Sequence, residues 1–473
     1  MKLLTISNLY PRPDQPWRGM YNAQLFHAFA ETGVRKEKSV AEKSGFALCR
    51  EAKQVPCHPE LAGGSPGRAD AADSATSLGM TGSAACGHFH SCIIGPGACG
   101  PLTNICLVPE WRVWRWGTIR RWRNPLCDSF ETKYLPVFYV PLMGRNLSWR
   151  TYLASLADLR SIVRHCDAVY CAWLYPDGAA ATLLAAESGK PAWIMALGSD
   201  TFHLRNASRR RIILKACRKA AGVVCVCKLL ADRLLDAGVE PSKVHVVPNG
   251  VDTQLFRYRS REDAFDALCR HPEISPPRQP HTSPPRYALF VGNLSFVKGP
   301  DILLESWSQL RRQPMSGSAA RQLLFIGDGP MRRSLERNAA RLGISDSTTF
   351  LGARPHNEIA LWMNAADVLC VPSRSEGMPN VVLEALASGL PVAATDVGAC
   401  GEMLEDEPAA RVVPAGSADL LGEAMLEMLS MEIDRRALAG RHAVRTWGGQ
   451  AERIIDLIGT GGQGGTTEPV VHA

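Results

Sequence analysis

Two carboxylates, a run of backbone amides and a lysine are the residues of this chain best equipped for chemistry. Glu376 and Glu384 are separated by seven residues, with Gly377, Met378, Pro379 and Asn380 between them. Glu376 falls in the turn-rich stretch 372–379, where Ser373, Ser375, Gly377 and Pro379 disfavour regular structure. Glu384 falls about one turn into 380–388, which reads as a helix with Pro379 near its first turn, Gly389 as C-cap and Pro391 just beyond. The N–H groups of Gly377 to Asn380 then form a helix N-terminus suited to an anion such as phosphate. A carboxylate there repels a bare phosphate but accepts hydrogen bonds from sugar hydroxyls on either side of one. The set suits a nucleotide sugar: Glu384 toward the ribose, the amides toward the diphosphate, Glu376 toward the transferred sugar. Nothing around Glu376 in sequence neutralises it. The plainer alternative is a solvated loop acid at 376 and a surface helix acid at 384, and spacing alone leaves both open. Lys298 stands in a second turn, Asn293 to Gly299, before a helix with Pro300 near its start. There it is placed to balance a diphosphate, or it is a solvated loop lysine.

Elements of alternating type must position these groups. Val368 to Val371 reads as a strand buried on both faces, so strand, turn, helix and the strand 392–395 make a βαβ unit. Ligands of such units sit above the carboxyl ends of the strands. Upstream, strands are expected at 287–292, 322–326 and 349–351, with helices at 331–340 and 357–364. The first half alternates likewise: strands at 2–7, 105–108, 137–140, 168–172, 192–196, 223–227 and 244–247, and helices at 20–31, 153–164, 179–187 and 229–237. Asp177 and Asp200 follow two of these strands, each either facing a substrate or capping a helix. The charged, proline-rich stretch 257–286 reads as a linker, 435–458 as a final helical region, and 459–473 as a disordered tail.

At 473 residues, two domains are the default. A hydrophobic content of 46% with 21% charged residues is that of a soluble globular protein. No apolar run approaches membrane-spanning length, and the start Met1-Lys-Leu-Leu-Thr-Ile-Ser is too soon polar for a signal peptide. A cytoplasmic location is therefore expected, with the 15 cysteines mostly reduced. The net charge of +7 favours anionic partners without choosing among them.

Two stretches break the pattern. From about 34 to 104, roughly seventy residues rich in Gly, Ala, Ser and charge replace the strand that is due, which reads as a disordered insertion. Cys86, His88, His90 and Cys92 lie within it but lack the spacings of zinc modules. From 109 to 123, tryptophan and arginine interleave densely, including Trp114, Trp116 and Trp122. That suits peripheral contact with an anionic membrane, rings at headgroup depth and guanidinium groups on phosphates, or else tryptophans packed on the domain. Nucleic acid is not expected as a partner, because no second patch of this kind exists.

The run Ser373-x-x-Glu376-Gly-x-Pro-Asn-Val-x-Leu-Glu384-Ala-x-Ala-x-Gly-x-Pro-Val392 resembles the Glu-x7-Glu signature of retaining glycosyltransferases of family four. Pro248-Asn-Gly-Val-Asp252 resembles that family's interdomain junction, and Gly198-Ser-Asp200 one of its cleft loops. The resemblance implies the GT-B fold: two doubly wound Rossmann-like domains facing a cleft. Here they would be 1–250 on the acceptor side and 286–440 on the nucleotide-sugar side, with 441–459 as a terminal helix returning to the first domain. It implies transfer of a hexose to a hydroxyl of a glycan, lipid or small molecule, with the anomeric configuration retained. By resemblance, Gly19 belongs to an acceptor-side glycine loop, and Asp177 and Asp200 to the same side. Gly299 borders the donor, Lys298 steadies the diphosphate, and Asn293 stands where the family usually has arginine. No Asp-x-Asp motif is placed to hold a diphosphate, so neither a metal nor a cofactor is expected beyond the donor substrate. A catalytically impaired nucleotide-binding relative and a GT-B epimerase remain as alternatives.

Overall fold

The computed structural model describes residues 1–7, 23–32, 102–110, 112–121, 131–139, 145–270, 285–312 and 321–462. Gly19, the stretch 33–101 with its Cys/His group, Trp122 and the tail from 463 lie outside the described residues.

Short apolar runs become strands of two parallel sheets. The first holds β1 (Leu3–Ser7), β2 (Leu102–Pro109), β3 (Glu131–Val137), β4 (Ala168–Ala172), β5 (Ala192–Ala196), β6 (Gly222–Cys225) and β7 (Val244–Val246), in the order β3-β2-β1-β4-β5-β6-β7. The second holds β8 (Arg286–Val291), β9 (Arg321–Ile326), β10 (Thr348–Gly352), β11 (Val368–Val371), β12 (Val392–Thr395) and β13 (Ala410–Val413), in the order β10-β9-β8-β11-β12-β13. Strands such as β1, β4, β5 and β11 are buried along their whole length, as helices on both faces require. Both sheets reverse direction of growth at one point, between β1 and β4 in the first and between β8 and β11 in the second. Ligand clefts of doubly wound sheets form at such points.

Several boundaries differ from those expected. Strand β2 begins at Leu102, so Thr103 and Asn104 belong to the sheet and not to the insertion: both are buried, and Thr5 donates to Asn104 at 2.9 Å. Strand β3 lies at 131–137 instead of 137–140. The helix expected at 153–164 is two helices, Ser148–Leu156 and Arg160–His165, joined by a tight turn. The stretch read as linker contains a helix, Arg261–Cys269, which Ser260 caps. It buries Ala264 and Leu268, and Arg261 reaches Asp367 with two guanidinium bonds of 2.8 and 3.1 Å. The final helical region expected at 435–458 is two helices, Arg435–His442 and Trp447–Gly459, the second capped by Thr446.

In the Trp/Arg stretch, Glu110 holds both Arg112 and Arg115, at 2.8 and 3.1 Å. Their charges are answered within the protein. Trp116 is half-buried and donates to the Glu110 carbonyl at 3.4 Å, whereas Trp114 is 71% exposed.

Candidate active site

The reversal between β8 and β11 explains how residues 78 apart in sequence meet. The turn after β8 carries Lys298 and the turn after β11 carries Glu376. Lys298 Nζ lies 2.7 and 2.8 Å from the two Glu376 oxygens, and the Ser373 hydroxyl donates to one of them at 2.6 Å. Glu376 is therefore neutralised, contrary to its appearance in sequence, and its side chain is only 9% exposed. An isolated carboxylate there would carry a heavy desolvation cost, which the lysine and serine offset.

The pair is held from behind. Arg374 grips Asp301 through two bonds of 2.8 and 2.7 Å, stacks 3.9 Å over the Phe296 ring and donates to the Phe296 carbonyl. This two-pronged contact locks the Lys298 turn against the Glu376 turn. Gly299 allows the closeness: it holds φ +64, and a Cβ would stand 2.0 Å from the Pro372 carbonyl oxygen. Sequence reasoning missed Ser373, Arg374 and Asp301 as partners, because Asp301 reads locally as a helix-start acid.

The helix Asn380–Ala387 opens beside this pair, preceded by Pro379 at φ −76. Asn380 Oδ1 accepts from Asn249 Nδ2 at 2.8 Å, and Asn249 Oδ1 accepts from Gln450 Nε2 at 3.3 Å. The buried Asn249 and Gln450 thereby tie the interdomain junction and the last helix to the start of the donor-side helix. Met378 is buried, with its sulfur 3.3 Å from the Asn249 N–H. Asn293 is exposed in the turn after β8.

Glu384 has no hydrogen-bond partner among the described residues and keeps some exposed surface. Burial pushes its carboxyl up to about 7, and the charge of Asp252 adds to the shift. A carboxylate with no hydrogen-bond partner, one turn into the helix that follows the Glu376 turn, is free to accept hydroxyls.

The first sheet meets this site through two glycines. Gly198, at φ +141 after β5, packs against Gly377; a Cβ on Gly198 would lie 2.7 Å from the Gly377 Cα. A Cβ on Gly377 would lie 2.1 Å from the Leu197 carbonyl oxygen. No side chain fits between these backbones. The acids expected on the acceptor side are instead inside the domain: Asp177 and Asp200 have no exposed surface. Asp200 accepts from the amides of Leu174, Leu197 and Gly198 at 2.8–3.2 Å. Burial outweighs these bonds and lifts its carboxyl to about 6. Its observed work is to fix the loops after β4 and β5, including the Gly198 contact, and not to present a carboxylate.

Two parallel sheets, each with its strand order reversed at one point, define a doubly wound α/β class of fold. Residues 273–443 match the model described as Glycosyl transferases group 1, and residues 118–255 match Glycosyltransferase Family 4. The chain belongs to this glycosyltransferase family. A D-inositol 3-phosphate glycosyltransferase of Nocardia farcinica is 32% identical over 269 residues, 53% of this chain and 54% of that protein. The chain thus spans about half the length of the curated relatives it matches. Among solved structures, Anabaena HepE in complex with UDP superposes with a TM-score of 0.58 at 16% identity, covering 76% of this chain and 92% of that one. The lipopolysaccharide outer core galactosyltransferase WaaB gives 0.57 at 15% identity, covering 96% and 99%. The fold is GT-B, as the sequence resemblance implied.

Proposed function

We propose that this protein transfers a hexose from a nucleotide diphosphate sugar to an acceptor hydroxyl with retention of configuration. The observation that carries the reading is the Lys298–Glu376 pair at the β8/β11 reversal, beside the start of the Asn380–Ala387 helix. As the glycosidic bond breaks, negative charge gathers on the diphosphate and positive charge on the anomeric carbon. A donor diphosphate would draw the Lys298 ammonium and the amides of 377–380, and Glu376, released in part from the lysine, would face the cationic sugar. Such preorganised charges are commonly the largest contribution to catalysis. Glu384 would accept the ribose hydroxyls in its ionised form. Gly19, Asp177 and Asp200 bear on the acceptor side, Asp200 by fixing the loops after β4 and β5. Lys298 and the helix amides carry the charge balance of this scheme, which calls on no metal or organic cofactor.

The relatives' names include D-inositol 3-phosphate glycosyltransferase, and HepE was solved with UDP and with UDP-glucose. These favour a nucleotide sugar donor, with UDP-glucose as the first to try. The test is nucleoside diphosphate release from a panel of nucleotide sugars with hydroxyl acceptors, followed by NMR of the product's anomeric proton. Turnover with inversion would overturn the retaining mechanism, and no turnover or nucleotide binding would overturn the whole reading.

A weaker reading adds peripheral contact with anionic lipid, favoured by Val113 and Trp114, which are 58% and 71% exposed. Among the described residues no helix is long and apolar enough to cross a membrane.

A further inference from the structure

Glu376 has two side-chain donors, and they differ in how far they can move. Lys298 reaches both carboxylate oxygens, Oε1 at 2.7 Å and Oε2 at 2.8 Å, from a side chain that is 35% exposed. Ser373 reaches Oε1 alone, at 2.6 Å, and is buried. A lysine carries its ammonium on a flexible alkyl stem, whereas a serine hydroxyl stands next to the backbone and goes where the backbone puts it.

The backbone is fixed on both sides of this serine. The Ser373 carbonyl accepts from the Thr395 hydroxyl at 2.6 Å, and Thr395 is the buried last residue of β12. The same hydroxyl lies 3.2 Å from the carbonyl of Val371, the last residue of β11. On the other side, the Arg374 amide donates to the Val297 carbonyl at 2.7 Å, while its guanidinium holds Asp301 and the Phe296 carbonyl. Consecutive residues thus divide the work. The side chain of Arg374 holds the lysine's turn, and that of Ser373 holds the carboxylate.

A bound diphosphate competes with Glu376 for the Lys298 ammonium. Once the lysine turns away, a carboxylate only 9% exposed has lost its counter-ion, which is costly unless another donor stays. Ser373 is that donor. It holds Oε1, so Oε2 is the oxygen set free.

We infer that Ser373 is a positioning residue for the transfer: it keeps Glu376 in place by Oε1 when Lys298 turns to the diphosphate, and so directs Oε2 to the sugar. The sugar in this statement rests on the transferase reading, while the effect of the serine on nucleotide binding can be measured without turnover. With the hydroxyl removed, Lys298 is the remaining side-chain donor to Glu376 among the described residues. Drawing the lysine to a diphosphate then strands the carboxylate, and the nucleotide binds less well.

A double-mutant cycle on the full chain tests this. Whichever of UDP, GDP and ADP binds the wild type is titrated by calorimetry into the wild type, Ser373→Ala, Glu376→Ala and the double variant. Ser373→Ala should weaken the nucleotide at least about threefold, as the loss of a hydrogen bond to a carboxylate does. In the Glu376→Ala background there is no carboxylate to hold, and the same substitution should change affinity less than about twofold. A serine that only stabilises its turn would cost the same in both backgrounds. Where a donor sugar is turned over, kcat should follow the same pattern. Should Ser373→Ala fail to fold, Ser373→Cys, a weak donor of similar size, takes its place in the cycle. Equal losses in the two backgrounds, or no loss in either, would overturn the inference and leave the donor reading intact. Failure of all three nucleotides to bind the wild type would strike the donor reading and the inference with it.

Discussion

The two sheets have the same strand order around their reversal points, yet their clefts are built in different ways. In the second sheet, opposite charges meet: Lys298 on Glu376, with Arg374 on Asp301 behind them. In the first sheet the acids at the strand ends are withdrawn into the domain: Asp177 and Asp200 have no exposed surface, and Asp200 accepts from three backbone amides. A paired site can reorganise as charge separates, whereas a buried carboxylate held by backbone amides fixes the loops around it. The difference sets a paired polar site at the reversal of the second sheet against a buried, loop-fixing acid beside that of the first.

The largest effect should come from Lys298→Met. It removes the charge opposite the diphosphate and leaves Glu376 without its counter-ion, so kcat/KM should fall by about 10²–10³-fold in a steady-state assay with UDP-glucose. Retained activity would mean that the pair is structural.

Glu384→Ala comes next. Losing bonds from the ribose to a charged group should weaken nucleotide binding by about 1.5–3 kcal/mol, seen mainly in donor KM. An effect confined to kcat would exchange the roles of the two glutamates.

Glu376→Ala should lower kcat by at least about tenfold, about 1.4 kcal/mol. Free UDP should bind the variant as well as wild type or better, because Lys298 is released from its partner. Loss of UDP binding with kcat intact would contradict that division.

A smaller effect concerns pH. The Glu384 carboxyl at about 7 lies above its ordinary value of 4.5, so between these values the native state holds more protons than the unfolded state. Its stabilising contribution is complete below about pH 4.5 and is lost as pH rises to and through about 7. Glu384→Gln should flatten that decline in melting temperature; an unchanged profile would place the titration elsewhere. The smallest effect should be liposome binding through Trp114, weak because Glu110 already occupies Arg112 and Arg115. Salt-sensitive binding lost in Trp114→Ala would support it, and none at low salt would remove it.

The contrast between the sheets also governs how much could be read in the sequence. Glu376, the amides of 377–380 and Glu384 are contiguous in one βα unit, so their spacing exposes their geometry. Lys298 was legible from its place between strand and helix, but not its bond to Glu376, which depends on β8 and β11 being neighbours. Asp200 shows the opposite failure: a strand-end acid invites a substrate role, and only its burial against three amides gives the structural one. The helix Arg261–Cys269 escaped notice because it buries little of its own and is fastened by the distant Asp367.

Calorimetric titration of UDP, GDP and ADP into wild type and Lys298→Met tests the central claim most directly. The account predicts that at least one nucleotide binds the wild type, and that Lys298→Met weakens that binding at least about tenfold, or 1.4 kcal/mol. No binding by any of the three, or equal affinity in both proteins, would contradict it.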